Sequence, residues 1–295
     1  MTKTPPPFAL FIRGPNAQIM TLSDQLGFEM EMQALAVSVF EDSEDTMHVQ
    51  ALYGSEAEAK TALAGLDIGA HEHFIVQLPD EDWTALSQAG LPPVQAGRFF
   101  VYGAHDSGKV PGDTPYPVQI EAGIAFGTGH HGTTKGCLLA FEHLADREDS
   151  VLSGDSAILD LGCGTGVLAI AAAKCLSAPV TASDIDQDAV DVTADNAILN
   201  GVEWLVAPVL ADGLDAPELT RAAAYNLIFA NILAGPLIGL APDIAKALAS
   251  KGHVILSGIL DEQAQTVQAA YEAEGLKAVY DGHLTGWTTL IMQSD

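Results

Sequence analysis

Ile158-Leu159-Asp160-Leu161-Gly162-Cys163-Gly164-Thr165-Gly166 is a short apolar run ending in three alternating glycines, and the helix-forming VLAIAAAKCL follows at once. Glycines placed there let the backbone turn sharply and approach a ligand beside the positive end of the next helix. The pattern is GxGxG, whereas the dinucleotide fingerprint reads GxGxxG. Asp160 stands just before the first glycine pair, where an acid would oppose a pyrophosphate. A cofactor carrying an ammonium and a sulfonium, and no phosphate, suits such a site better. The loop therefore points to S-adenosyl-L-methionine in preference to NAD or FAD.

Outward from the loop, Ala182-Ser183-Asp184-Ile185-Asp186 ends the next apolar run. An acid about twenty positions past a glycine loop can accept hydrogen bonds from two ribose hydroxyls, and Asp184 is the candidate. Asp186 and Asp188 are expected to open the following helix, where carboxylates favour the dipole. Asp212 suits an adenine edge and an ordinary surface loop equally well. Apolar runs at 157–161, 180–183, 205–210, 226–230 and 253–257 are mostly separated by helical stretches, as in a parallel doubly wound sheet. The runs at 278–280 and 287–292 have only a short Gly-containing turn between them, which makes them an antiparallel hairpin. Loop, acid and hairpin ending together resemble the class I methyltransferase fold, an α/β doubly wound sheet with an antiparallel last strand.

The first part of the chain reads differently. Strand-like runs at 8–13, 34–40, 47–53 and 74–78 and helical stretches at 15–29 and 55–64 alternate as strand, helix, strand, strand, helix, strand. Ser55 and Glu58 form a capping-box signature for the second helix. That order predicts a small ferredoxin-like α+β domain. The turn-rich stretch Gly103 to Pro117 then separates two differently organised halves. We expect a substrate-recognition domain over 1–79, a linker over 80–117 that includes a hinge, and a catalytic domain over 118–295.

The 295 residues include 12 Lys+Arg and 39 Asp+Glu, a formal charge of −27. Such a surface repels a phosphate backbone and attracts a basic protein, so direct nucleic-acid binding is not expected. The same acidity also serves plain solubility. Three cysteines, Cys137, Cys163 and Cys175, with no CxxC, fit a reducing compartment with neither a disulfide framework nor a zinc site. The N-terminus MTKTPPP has no apolar signal core, and the apolar run from Val167 to Ala173 is far short of the ~20 residues that span a bilayer. A cytoplasmic protein away from membranes is expected.

Two further segments narrow the reading. GIAFGTGHHGTT, from Gly123 to Thr134, precedes the glycine loop, and FANILAGP, from Phe229 to Pro236, follows the fourth strand. Both resemble the bacterial methyltransferase family that acts on ribosomal protein eleven of the large subunit. LAPDIAKAL, KGHVILSGILDEQ and the DEDW at Asp80 to Trp83 resemble it too, so the likeness extends from about Asp80 to the C-terminus. Gly132 departs from the family, whose members usually carry proline there.

The resemblance implies methyl transfer from S-adenosyl-L-methionine to lysine side-chain amines and the N-terminal α-amine of that ribosomal protein. It also implies cofactor contacts at Thr134, Gly162, Asp184 and Asn231. Asn231 suits catalysis on chemical grounds as well: its neutral side-chain carbonyl can accept from an amine and aim the lone pair without favouring ammonium. Asn231 would equally suit a plain helix cap. Phe126-Gly127-Thr128-Gly129 is expected to form a flap over the cofactor. His130 and His131 have no third ligand at metal spacing, so no metal site is expected. The acidic surface favours methylation of the free ribosomal protein before assembly. Other readings are a methyltransferase of a different protein or small amine, a non-catalytic cofactor-binding module and, more distantly, an NAD dehydrogenase.

Overall fold

The computed structural model describes residues 7–28, 34, 36–43, 46–69, 71–78, 93–121, 132–147, 152–221 and 224–295. The chain divides into two compact units, Met1–Leu86 and Ser87–Asp295. In the first, strand β1 (Phe8–Pro15) leads into helix α1 (Asn16–Phe28). Strands β2 (Ala36–Ser43) and β3 (Thr46–Tyr53), helix α2 (Glu56–Gly65) and strand β4 (Glu72–Gln77) follow. The four strands pair antiparallel in the order β2-β3-β1-β4.

Alternation decides which face is buried. Met47, Val49, Ala51 and Tyr53 of β3 are buried, as are Leu10 and Ile12 of β1. Ser55 caps α2, its hydroxyl accepting from the Glu58 amide at 3.3 Å. On the outer face Phe11 stacks on Phe74 at 4.7 Å.

The second unit opens with a small sheet: β5 (Val94–Ala96) antiparallel to β6 (Phe99–Tyr102), and β6 parallel to β7 (Tyr116–Gln119). A 3-10 turn over Ala104–Lys109 lies between β6 and β7. Pro117 is tolerated because β7 is an edge strand, where a missing N–H interrupts no ladder.

Helix α3 (Gly132–Ala145) precedes the alternating series β8 (Ile158–Leu161), α4 (Val167–Leu176), β9 (Val180–Asp184), α5 (Gln187–Leu199) and β10 (Val206–Leu210). The short α6 (Pro217–Arg221), β11 (Tyr225–Asn231), α7 (Ala234–Ala247) and β12 (Leu248–Leu260) continue it. Helix α8 (Ala264–Ala273) and strands β13 (Lys277–Leu284) and β14 (Trp287–Gln293) close the chain. The seven-stranded sheet runs β10-β9-β8-β11-β12-β14-β13. Strands β8 to β12 are parallel, and β14 is inserted antiparallel between β12 and β13. This is the class I methyltransferase sheet that the terminal hairpin predicts.

Each face of the sheet carries its own core: Leu227 and Phe229 face one side, Ile228 and Ala230 the other. Helix α4 is buried at every position from Val167 to Ala173. It lies between the large sheet and β7, so no side of it needs polar residues. That double cover accounts for the apolar run read from sequence. Arg98, in the β5–β6 turn, fastens the small sheet to α3. Its amide and Nε both reach Glu142 Oε1, at 2.8 and 3.1 Å, and its guanidinium lies 5.4 Å from the Tyr116 ring centre.

Candidate cofactor and active site

Strand order reverses at β8. The chain moves outward to β9 and β10, then returns through β11 on the other side of β8. In open α/β sheets ligands bind at the carboxyl ends of strands flanking such a switch point. Register brings the candidate residues to that edge, with Leu161 opposite Ser183 on one side and Ala230 on the other. Gly162, Asp184 and Asn231 each follow one of these three positions directly.

The loop from Gly162 to Gly166 favours glycine at its alternate positions: Gly162, Gly164 and Gly166 have φ of 71°, 54° and 77°, the left-handed region that other residues adopt at a cost. Space adds a second reason at Gly162, where a Cβ would lie 2.4 Å from Ile232 Cγ2. The loop is tied to β9, with the Gly162 and Cys163 amides both donating to the Ser183 carbonyl at 2.8 and 3.0 Å. Asp184 Oδ2 accepts from the Gly164 amide at 2.9 Å and Oδ1 from the Asp186 amide at 3.1 Å. Each carboxylate oxygen keeps acceptor capacity for a hydroxyl. Asp186 is the N-cap of α5, accepting from Asp188, as the sequence predicts. Ile185, 68% exposed beside Asp184, is an apolar platform that a reading centred on the acids passes over.

Asp160 does not face the ligand side. It is 1% exposed, and its Oδ2 accepts from the Ala169 amide in the first turn of α4 at 2.9 Å. Burial, with a smaller contribution from the Asp184 charge, pushes its carboxyl up to about 7 against the opposing Ala169 bond. The folded chain therefore holds this proton more tightly than the unfolded chain. The associated stability is complete below the unfolded value near 4 and is lost as pH rises through about 7. Asp160→Asn keeps an acceptor for Ala169 and removes the titration. Thermal melts should show the variant gaining on the unaltered protein between pH 5 and pH 8, by on the order of 2 kcal/mol.

A second buried polar group sits nearby. Ser183 Oγ is fully buried and, among the described residues, has no hydrogen-bond partner. Ser183→Ala should therefore raise stability by about 1 kcal/mol, read as a higher urea midpoint at unchanged slope.

Asn231 ends β11, and its Nδ2 donates to Thr134 Oγ1 at 3.4 Å. The following helix is capped by Leu233 without a side-chain bond, so Asn231 is not its cap. Thr134 is fully buried in the first turn of α3. The same turn is docked through the Thr133 carbonyl, which accepts from Ser257 Oγ at 3.2 Å, and Ser257 lies 3.1 Å from Thr289 Oγ1. Gly132 has a steric reason: a Cβ there would lie 2.7 Å from Thr285 Oγ1 and 3.1 Å from Trp287 Cδ1. Glycine thus lets α3 begin hard against the β13–β14 turn.

The structure brings Thr134 to Asn231, Gly162 to the segment after Asn231, and Asp184 to the glycine loop. Phe126, Gly127, Thr128, Gly129, His130 and His131 lie outside the described residues, as do Asp80 to Trp83. Among the described residues no group of His, Cys, Asp and Glu could hold a metal, and no helix is long and apolar enough to cross a membrane. The positive-φ glycine loop and the acid held against it fit a cationic nucleoside cofactor. Gly162, Asp184, Thr134 and Asn231 are the residues that would hold it.

A family model described as ribosomal protein L11 methyltransferase (PrmA) matches residues 11–295. A protein of that name from Rhodopseudomonas palustris (strain BisB5) is 41% identical over 299 residues, with 99% of each chain covered. Its namesake from Mesorhizobium japonicum is 45% identical over 272 residues, covering 90% of this chain and 91% of the relative. A crystal structure of ribosomal protein L11 methylase from Lactobacillus delbrueckii subsp. bulgaricus superposes with a TM-score of 0.59 at 25% identity, covering 69% of this chain and 99% of that one. With a family model matched along almost its whole length and relatives of that identity, the chain belongs to the ribosomal protein L11 methyltransferase family.

Proposed function

We propose that this protein transfers methyl groups from S-adenosyl-L-methionine to amines of ribosomal protein L11, both lysine side chains and the N-terminal α-amine. The observation that carries the reading is Asn231 at the switch point, its Nδ2 donating to Thr134 Oγ1, an orientation in which Oδ1 would serve as the acceptor for an amine. The cofactor supplies an electrophilic methyl group on a sulfonium. The chain's own residues supply position: Asp184 accepts from ribose hydroxyls, the Gly162–Gly166 backbone permits close approach, and Asn231 Oδ1 aims the amine lone pair. Lysine, with a pKa of ~10.4, must reach the site deprotonated, and a neutral amide opposes that loss of a proton less than a carboxylate would.

The first unit is the substrate-recognition part in this reading, with residues 1–79 as its body, 80–117 joining it to a catalytic domain over 118–295. Its strand-helix-strand-strand-helix-strand order and antiparallel sheet support a ferredoxin-like classification. A net charge of −27 supports a basic protein partner, met free in the cytoplasm before assembly on RNA.

The test is intact-mass and peptide mass spectrometry after incubating enzyme, cofactor and free ribosomal protein L11, with Asn231→Ala as control. Mass gains in steps of one methyl, absent with the variant, are expected on lysine and N-terminal peptides. No gain with cofactor binding intact would redirect the search to another acceptor. Much faster methylation of assembled subunits than of free protein would overturn the order of events.

A further inference from the structure

Helix α5 supplies the small sheet with a strand edge made of side chains. The Gln119 amide donates to Asn200 Oδ1 at 3.0 Å, and the Gln119 carbonyl accepts from Asn200 Nδ2 at 2.7 Å. Two residues on, the Glu121 amide donates to Asn196 Oδ1 at 2.9 Å, and its carbonyl accepts from Asn196 Nδ2 at 3.2 Å. Residues four apart on a helix rise by ~6 Å, and residues two apart on a strand by ~6.6 Å. The two side-chain amides therefore meet successive outward-facing peptide groups at and just past the end of β7. Lys174 completes the edge by donating to the Pro117 carbonyl and to Asn200 Oδ1.

Asn196 does something that Asn200 does not. Its Nδ2 also donates to the Thr165 carbonyl, at 2.9 Å, inside the glycine loop. Thr193, one turn earlier on the same helix face, donates from Oγ1 to the Gly164 carbonyl at 3.0 Å. Thr193 and Asn196 are 0% and 1% exposed. Peptide planarity means that fixing these two carbonyls also fixes the N–H groups of Thr165 and Gly166. One face of α5 thus sets the loop's backbone through its carbonyls, where Asp184 takes the Gly164 amide, and Asn196 joins that loop to Glu121.

We propose that Asn196, together with Thr193, is a positioning residue for cofactor binding: neither touches the cofactor, and both set the loop that does. This rests on the reading of Gly162–Gly166 as the S-adenosyl-L-methionine site. Asn196→Asp is isosteric and keeps the acceptor for the Glu121 amide. It loses both donated bonds and turns a carboxylate oxygen toward two carbonyls. Thr193→Val removes one donor at constant shape, and Thr193→Ser restores it.

The experiment measures S-adenosylhomocysteine affinity by calorimetry, alongside melting temperature and amide hydrogen exchange of the loop peptide in ligand-free protein. Asn196→Asp should weaken binding about tenfold or more, and Thr193→Val about threefold to tenfold. Both should speed exchange of the loop amides, and Thr193→Ser should return close to the unaltered protein. Asn200→Ala should lower the melting temperature and leave affinity within about twofold, because its side-chain bonds go to Gln119, Lys174 and the Asn196 carbonyl, all outside the glycine loop. Affinity within about twofold in Asn196→Asp, or equal weakening by Asn200→Ala, would overturn the proposal. Should Asn196→Asp not fold, the threonine pair decides: unchanged binding and exchange in Thr193→Val overturn it, and weakening rescued by serine supports it. An unaltered protein that fails to bind the ligand would remove the cofactor reading itself, and this inference with it. Binding retained by the folded variants would remove only the inference.

Discussion

Asn231→Ala is expected to lower turnover by about a hundredfold or more, with a smaller change in cofactor affinity. Methyl transfer is an in-line displacement, so the protein contributes mainly alignment and exclusion of water, and misaligning one reactant costs on the order of 10² in rate. The structure removes the bland alternative, since Leu233 and not Asn231 stands at the cap of the helix that follows. It also supplies an orienting partner, because Nδ2 donates to Thr134 Oγ1, and in the proposed reading Oδ1 takes the incoming amine. Initial rates at saturating cofactor and ribosomal protein L11 give the answer. A variant that keeps most of its turnover takes Asn231 out of catalysis.

Asp184→Ala should weaken S-adenosylhomocysteine binding by roughly one to two decades, since two charge-assisted hydrogen bonds contribute about 2–3 kcal/mol. Part of that loss is local. The carboxylate also accepts from the Gly164 and Asp186 amides, so alanine releases the glycine loop and the start of α5 together. Asp184→Asn separates the two contributions, because its remaining carbonyl still serves one of those amides while the charge is gone. An alanine variant with unchanged affinity by calorimetry would place the ribose elsewhere.

Much of the architecture is written in local patterns. Alternation at Met47, Val49, Ala51 and Tyr53 marks a half-buried strand before any contact is known. The hairpin of β13 and β14 is legible from its short turn, and it alone separates this sheet from an ordinary dinucleotide fold. Strands β5 to β7 are harder to read, being short and lying around a stretch rich in glycine and proline, residues that otherwise punctuate structure. Much of the outer edge of β7 is completed by Lys174, Asn196 and Asn200, from elements remote in sequence, so no local periodicity announces it. Asp160 illustrates a different limit. Sequence shows an acid beside the glycines, and only the folded structure reveals that its buried carboxyl accepts from the start of α4.

The placement of Gly132 gives the enzyme an optical handle. Trp287 is 3% exposed and lies against the first residue of α3, two positions before Thr134, whereas Trp204, between α5 and β10 in sequence, is 75% exposed. Emission that resists acrylamide therefore comes in part from an indole packed at the start of α3, and emission that acrylamide removes comes in part from Trp204. Replacing Trp83 and Trp204 with phenylalanine would leave Trp287 as the single indole of the sequence, so that ligand binding can be followed by its wavelength without any attached dye.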